Sequence, residues 1–336
     1  MTHASMPHAQ WTMPGCAAYG HGVADGRVAD GRVVMVGTMR AGLDAALRER
    51  YGAQQLDDLD AAAAQSAHVA VTSGGWGVRA EHLDRLPGLG AVVNFGVGYD
   101  STDVAEAARR GVVVANTPDV LTGCVADAAI GLLIDVMRGL SAADRSVRRG
   151  DWAQGRAPAL ARRVHGARVG IVGLGRIGLA IAHRLSAFDA TVSYHNRRER
   201  PDVHYRYAGS VLELARHNDV LVLAAAGGAA SRHLVDTAVL DALGRNGFLV
   251  NIARGSLVDE QALVAALEEG RIAGAALDVF ADEPNVPAQL LGRDDVVLTP
   301  HLGSATVETR AAMTELALAN VERFLADGTL LTPVTA

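Results

Sequence analysis

VGIVGLGRIGLAIAHRLSAFDATVSYHNRR, residues 169–198, decides the fold. Val169 to Val172 is a short apolar run of the kind a fully buried strand carries, and it leads straight into Gly173-Leu174-Gly175-Arg176-Ile177-Gly178. That G-x-G-x-x-G opens a helix with apolar residues at Ile177, Ile181 and Leu185, and a second strand follows from Thr191 to Tyr194. Strand, glycine turn, helix and strand at this length make a βαβ unit with a dinucleotide fingerprint. The glycines differ in what they allow. Gly173 permits the tight turn, Gly175 lets backbone approach a pyrophosphate, and Gly178 lets helix and strand pack closely. The helix start then offers free N–H groups and the positive end of its dipole to phosphates.

The end of the second strand bears on which dinucleotide is bound. An NAD site has an Asp or Glu about twenty residues on, to hold the ribose 2′-hydroxyl. Here His195, Asn196, Arg197 and Arg198 occupy that place, with Asp189 too early and Glu199 too late. Two guanidiniums suit a 2′-phosphate, which accepts bidentate hydrogen bonds. NADP(H) is therefore expected, with NAD(H) weaker.

The length of 336 residues sets a prior of two domains. Hydrophobic residues make up 49% and charged residues 20%, which fits a soluble globular chain. The net charge of −6 is spread along the sequence, so no nucleic-acid surface is expected. No apolar run suggests a membrane span. Cys16 and Cys124 are the only cysteines, too few for a disulfide framework and suited to a reducing cytoplasm. All 31 basic residues counted as Lys or Arg are Arg. Without a lysine, a Walker-type ATP site and a Schiff-base mechanism are both excluded. Chemistry falls to His, Asp, Glu and Arg, and no metal is expected.

Residues 1–30 contain the near repeat VADGR and ADGRV and carry few order signals; a disordered or misassigned start is expected, and no signal peptide. Strands are expected at 32–36, 68–72, 91–95 and 112–115, alternating with helices, which indicates a parallel sheet covered on both faces. Gly96 and Gly98 follow the third of these, where open α/β sheets bind ligands, and their N–H groups are candidates for a substrate carboxylate. One long helix is expected from Thr122 to about Arg148, bridging two domains. Cys124 at its start reads as a small buried packing residue, and Trp152 beyond it as core or an interface anchor. After the fingerprint, strands at 219–224, 247–252, 273–279 and 296–299 complete a second doubly wound sheet. A closing helix near 306–326 is placed to pack back on the first domain.

Three stretches end successive strands of that second sheet: Asn251-Ile252-Ala253-Arg254-Gly255, Asp278-Val279-Phe280-Ala281-Asp282-Glu283-Pro284 and Thr299-Pro300-His301-Leu302-Gly303. An arginine, a carboxylate and a histidine meeting a nicotinamide suit reduction of a 2-oxo acid. Arg254 is the fork for the substrate, His301 the proton donor, and Glu283 the group that orients and charges the imidazole.

From about residue 32 onward the chain resembles the D-isomer-specific 2-hydroxyacid dehydrogenase family. The resemblance is carried by NFGVGYD (94–100), NTPDVLT (116–122), VGIVGLGRIG (169–178), NIARGSLVDE (251–260), LDVFADEP (277–284) and TPHLGSAT (299–306). It implies an α/β chain of two Rossmann-like domains with a cleft between them: a discontinuous substrate-binding domain, 31–121 with 308–336, and a dinucleotide-binding domain, 122–307. It implies Arg254, Glu283 and His301 as the catalytic set and Val97 and Gly98 at the substrate carboxylate. Around the cofactor it implies Arg176, Ile177, Ile252, Ala253, Asp278, His301 and Gly303, beside the fingerprint glycines and Asn196, Arg197 and Arg198. The YHNRR stretch is similar to the NADPH-preferring glyoxylate/hydroxypyruvate reductase branch, and the resemblance implies a homodimer. Two further readings keep the scaffold: a reductase of a bulkier 2-oxo acid such as 2-ketogluconate or hydroxyphenylpyruvate, and a cofactor-sensing corepressor-like binding protein.

Overall fold

The computed structural model describes residues 32–334. Cys16 and the expectation for residues 1–30 lie outside that range. The first five strands are β1 (Val33–Val36), β2 (Gln54–Gln55), β3 (Val69–Ser73), β4 (Ala91–Phe95) and β5 (Val113–Ala115). They form one parallel sheet in the order β2-β1-β3-β4-β5. The other seven are β6 (Arg168–Val172), β7 (Thr191–His195), β8 (Arg206–Tyr207), β9 (Val220–Leu223), β10 (Phe248–Asn251), β11 (Gly274–Leu277) and β12 (Val296–Leu298). They form a second parallel sheet, β12-β11-β10-β9-β6-β7-β8. Both sheets are Rossmann-like. Strands such as VVMV, VLVL and FLVN are buried along their whole length, as parallel strands sandwiched between helices must be.

In the second sheet the chain starts at β6, runs outward to β7 and β8, then crosses back to β9. This reversal leaves a crevice beyond the carboxyl ends of β6 and β9, where such sheets take ligands. The glycine turn after β6 stands at that point.

The single long helix expected over 122–148 is two helices, Thr122–Arg138 and Leu140–Arg148. Gly139 breaks it: its φ of 65° is left-handed, and its N–H caps the first helix on the Asp135 carbonyl at 2.7 Å. The first of the pair packs on β10, β11 and the helix Arg176–Leu185. Cys124 is half-exposed and not buried: it sits in the first turn of the helix Thr122–Arg138, with its Sγ 3.7 Å from Thr306 Oγ1. Trp152 is 70% exposed, so it is no part of the core.

One buried apolar cluster runs from Met35 and Val93 in the first sheet through Leu121, Val125 and Leu133 to Ile171 and Val250 in the second. The helix Val307–Asp327 packs on β3, β4 and the helix Ala41–Tyr51. Buried Asn320 then takes the N–H groups of Leu331 and Thr332 at 3.0 and 3.1 Å, and Val334 donates to the Val114 carbonyl, tying the chain end to β5.

Candidate active site

The three fingerprint glycines do three different things. Gly173 has φ 96°, and a Cβ there would lie 2.5 Å from the backbone of Ala225. At Gly178 a Cβ would meet the Gly173 carbonyl oxygen at 2.2 Å, so helix and turn touch backbone to backbone. At Gly175 a Cβ would have nothing within 4 Å. The middle glycine therefore faces open space at a helix N-terminus, a cradle that fits a pyrophosphate.

The exit of β7 holds this turn in shape. Asn196 Oδ1 accepts from Leu174 N at 2.7 Å, and Arg200 Nη1 donates to the Leu174 carbonyl at 2.8 Å. Asn196, expected at the cofactor, thus braces the turn. Arg197 and Arg198 are exposed and make no ion pair or side-chain hydrogen bond among the described residues. Arg200, two positions on, is by contrast occupied with Asp202. Arg176, also expected at the cofactor, pairs with Asp119 at 3.0 Å, and Ile177 is half-buried beside it.

The catalytic candidates come from three neighbouring loops. A Cβ on Gly255 would lie 1.9 Å from the Phe280 carbonyl carbon, so the loops after β10 and β11 are in backbone contact. That contact brings Arg254 toward Glu283. Glu283 Oε2 meets His301 Nδ1 at 2.8 Å, and its Oε1 accepts from Phe280 N at 3.1 Å. Burial pushes the Glu283 carboxyl up, but the His301 hydrogen bond and charge, Phe280 N–H and Arg254 outweigh it. The carboxyl ends below the usual glutamate range and stays ionised beside the imidazole.

His301 has φ 52°, a left-handed conformation that a non-glycine residue adopts only when its surroundings impose it. Asp278 supplies the restraint. It is 1% exposed; Oδ1 accepts from Thr299 Oγ1 and Leu302 N, both at 2.7 Å, and Oδ2 from Gly303 N at 2.8 Å. Asp278 and Gly303, both expected around the cofactor, are thus the brace of the histidine loop. Buried Asn251 does the same for the arginine loop, accepting from Ala253 N at 3.1 Å and donating to the Arg254 carbonyl at 2.9 Å. Ile252 and Ala253 between them are buried.

The first sheet closes the site. Arg254 Nε meets Asp100 Oδ1 at 3.0 Å and Oδ2 at 3.2 Å, a pair that joins the loops after β4 and β10. The guanidinium lies directly on Gly98, where a Cβ would sit 1.4 Å from Nη2. Of the two glycine N–H groups expected to face a carboxylate, that of Gly96 is already committed, donating to Thr117 Oγ1 at 2.9 Å. The N–H groups of Val97 and Gly98 have no acceptor among the described residues.

Residues 130–303 match the family described as D-isomer specific 2-hydroxyacid dehydrogenase, NAD binding domain. The chain is 48% identical to a hydroxyphenylpyruvate reductase of Plectranthus scutellarioides, over 85% of this chain and 91% of that one. This chain belongs to the D-isomer specific 2-hydroxyacid dehydrogenases. It is also 50% identical to a glyoxylate/hydroxypyruvate reductase of Arabidopsis thaliana, over 77% of this chain and 82% of that one. Among solved structures it is similar to an NADPH-dependent glyoxylate/hydroxypyruvate reductase of Sinorhizobium meliloti in complex with NADP and malonate. The two share a TM-score of 0.84 and 42% identity, over 90% of this chain and 96% of that chain.

Asp100, Asn251 and the bracing role of Asp278 were not singled out from the sequence. All three stand inside motifs that were read, one or a few residues from a site residue, which is the signal that could have found them.

Proposed function

We propose that the protein is an NADPH-dependent reductase of small 2-oxo acids, glyoxylate or hydroxypyruvate, giving the D-2-hydroxy acid. The single observation that carries this is the His301–Glu283 pair at 2.8 Å, under the charge of Arg254, on loops that follow β11 and β12 of the same parallel sheet whose β6 leads into the glycine turn. The nicotinamide, when bound, supplies the hydride. Arg254 holds the substrate carboxylate with the free N–H groups of Val97 and Gly98. Glu283 occupies His301 Nδ1, which leaves Nε2 to give its proton to the carbonyl oxygen. Glu283 then stabilises the ring through its change of charge.

For the cofactor, the residues in contact are inferred to be Gly173, Gly175, Gly178, Arg176, Ile177, Ile252 and Ala253. Arg197 and Arg198, the unpaired cations at the β7 exit, take the 2′-phosphate. The relative from Sinorhizobium meliloti, solved with NADP, supports that reading.

We also infer two domains, 31–121 with 308–336 and 122–307, and a homodimer in the cytoplasm, without nucleic acid or membrane partners. No described helix is long and apolar enough to cross a membrane. Leu140, Val147, Trp152 and Leu160 stand exposed near one another in sequence, which supports a partner subunit there. Light scattering on a size-exclusion column tests the dimer.

Initial rates with glyoxylate, hydroxypyruvate, hydroxyphenylpyruvate and 2-ketogluconate, each with NADPH and NADH, test the function. The first two substrates with NADPH are expected to be fastest. Faster rates with NADH would overturn the cofactor reading, and faster rates with the bulky acids the substrate reading. NADPH binding without turnover of any of them would point to a corepressor-like sensor.

A further inference from the structure

Among the described residues, one buried side-chain nitrogen or oxygen lacks any hydrogen-bond partner, and it is Nε of Arg310. Arg310 lies in the first turn of the helix Val307–Asp327, directly after the loop that carries His301. Its guanidinium stands 5.8 Å from the ring centre of Phe95, the residue before Gly96-Val97-Gly98. Thr306, the N-cap of the helix that carries Arg310, accepts from Cys124 Sγ at 3.7 Å, at the start of the helix Thr122–Arg138. Arg310 therefore stands among the same strand ends and loops that form the site.

Other arginines that are largely covered have acids to answer them. Arg293 pairs with Asp295, Arg271 with Asp241 and Glu269, and Arg254 with Asp100. Arg310 has none. The charge that bears on it most is another cation, Arg40, which itself makes no ion pair among the described residues. Burial and Arg40 together push the Arg310 pKa down to about 10. A half-buried cation whose Nε has no partner and which no acid answers is costly, and an anion arriving at the guanidinium would relieve that cost.

We propose that Arg310, seconded by Arg40, is a second anion-recognition point of this cleft, taking a carboxylate at the far end of a dicarboxylic 2-oxo acid. The inference rests on the reductase reading and extends its substrate class from glyoxylate and hydroxypyruvate to small dicarboxylic 2-oxo acids. Arg254 with the Val97 and Gly98 N–H groups holds the carboxylate next to the reacting carbonyl. Arg310 holds the one beyond it, and a planar guanidinium matches a carboxylate in either place.

The test compares oxaloacetate with 2-oxobutyrate, four-carbon acids that differ in the second carboxylate, with NADPH and glyoxylate as the control for active enzyme. In the wild type, kcat/KM is expected to favour oxaloacetate by about tenfold or more, the scale of a partly desolvated charge pair. In Arg310→Gln the ratio falls to about one, carried by KM, and Arg310→Lys restores part of it. A wild-type ratio of one or less overturns the proposal. So does an Arg310→Gln enzyme that loses the same factor on both substrates, since that marks a structural role. If Arg310→Gln does not fold, Arg40→Gln is read the same way: a lowered ratio supports the pair and an unchanged one overturns it. Failure to reduce any 2-oxo acid, glyoxylate included, would sink the reductase reading itself, a result distinct from an active enzyme without discrimination.

Discussion

Two glycine turns of the same form, Gly96-Val97-Gly98 after β4 and Gly173-Leu174-Gly175 after β6, do opposite work. Both begin on a glycine at positive φ, 141° at Gly96 and 96° at Gly173. Both sit at the carboxyl end of a parallel strand. They part at the second glycine. The space a Cβ would take at Gly98 is filled by the Arg254 guanidinium, while at Gly175 it is open. The β4 turn clears room for a side chain sent from the other sheet. The β6 turn clears room for something the chain does not supply. Absence of a side chain thus marks a protein contact in one case and a ligand contact in the other, and only what occupies the gap tells them apart.

Alanine at each second glycine separates the two. In Gly98→Ala the new methyl expels Arg254 from its seat, and kcat/KM is expected to fall about a hundredfold or more, the scale of a misplaced catalytic group. In Gly175→Ala the fold has room for the methyl, so the thermal midpoint should move by no more than about 2 °C. The defect there is in KM for NADPH. Equal KM effects on NADPH in the two variants would erase the distinction.

The β11 and β12 loops sharpen the catalytic side. Glu283→Gln keeps the size and loses the charge beside His301, and kcat is expected to fall by about a hundredfold, within the usual range for a general acid and its partner. Stability gives an independent reading. The Glu283 carboxyl is held below its ordinary range, so its contribution is full above that range and lost as pH falls through the lowered value. The wild type should therefore exceed Glu283→Gln in thermal midpoint at neutral pH, and the gap should close in acid. A gap constant with pH would mean that the charge is not what the pair contributes.

On the ligand-facing side, Arg197 and Arg198 are the next test. Replacing both with Ala removes two charge-assisted contacts to a 2′-phosphate, and the NADPH-to-NADH ratio of kcat/KM is expected to fall about tenfold to a hundredfold. An unchanged ratio would leave them as solvated surface cations.

The repeating units were legible in the sequence, the contacts between them much less so. Buried runs such as VGIV and VLVL announce parallel strands locally, and the glycine spacing at 173, 175 and 178 states its own geometry. β2 and β8, of two residues each, are too short to show a period. The break at Gly139 was hidden for a different reason. Gly123 and Gly131 lie within the same helix and stay helical, so glycine alone does not say where the chain turns. The Arg254–Asp100 pair spans 154 positions, and no local pattern encodes it. The left-handed backbone of His301 is likewise set by Asp278, from a different strand end.

The smallest effect tests the link between the helix that follows the β6 turn and the first sheet. Arg176, first residue of the helix after the β6 turn, pairs with Asp119 at 3.0 Å, in the stretch that follows β5. The two side chains are 68% and 66% exposed. An ion pair so open to water contributes between nothing and about 1 kcal/mol, the equivalent of at most about fivefold in an equilibrium constant. If Arg176 is wanted by the cofactor phosphates, Asp119 competes with them, because one guanidinium cannot serve both in full. Asp119→Asn should then tighten NADPH binding by about twofold to fivefold at low salt. The gain should shrink as ionic strength rises, since screening weakens the competitor first. Weaker NADPH binding in Asp119→Asn would reverse the relation: Asp119 would be aiming Arg176 at the phosphates, and the stretch after β5 would act in support of binding.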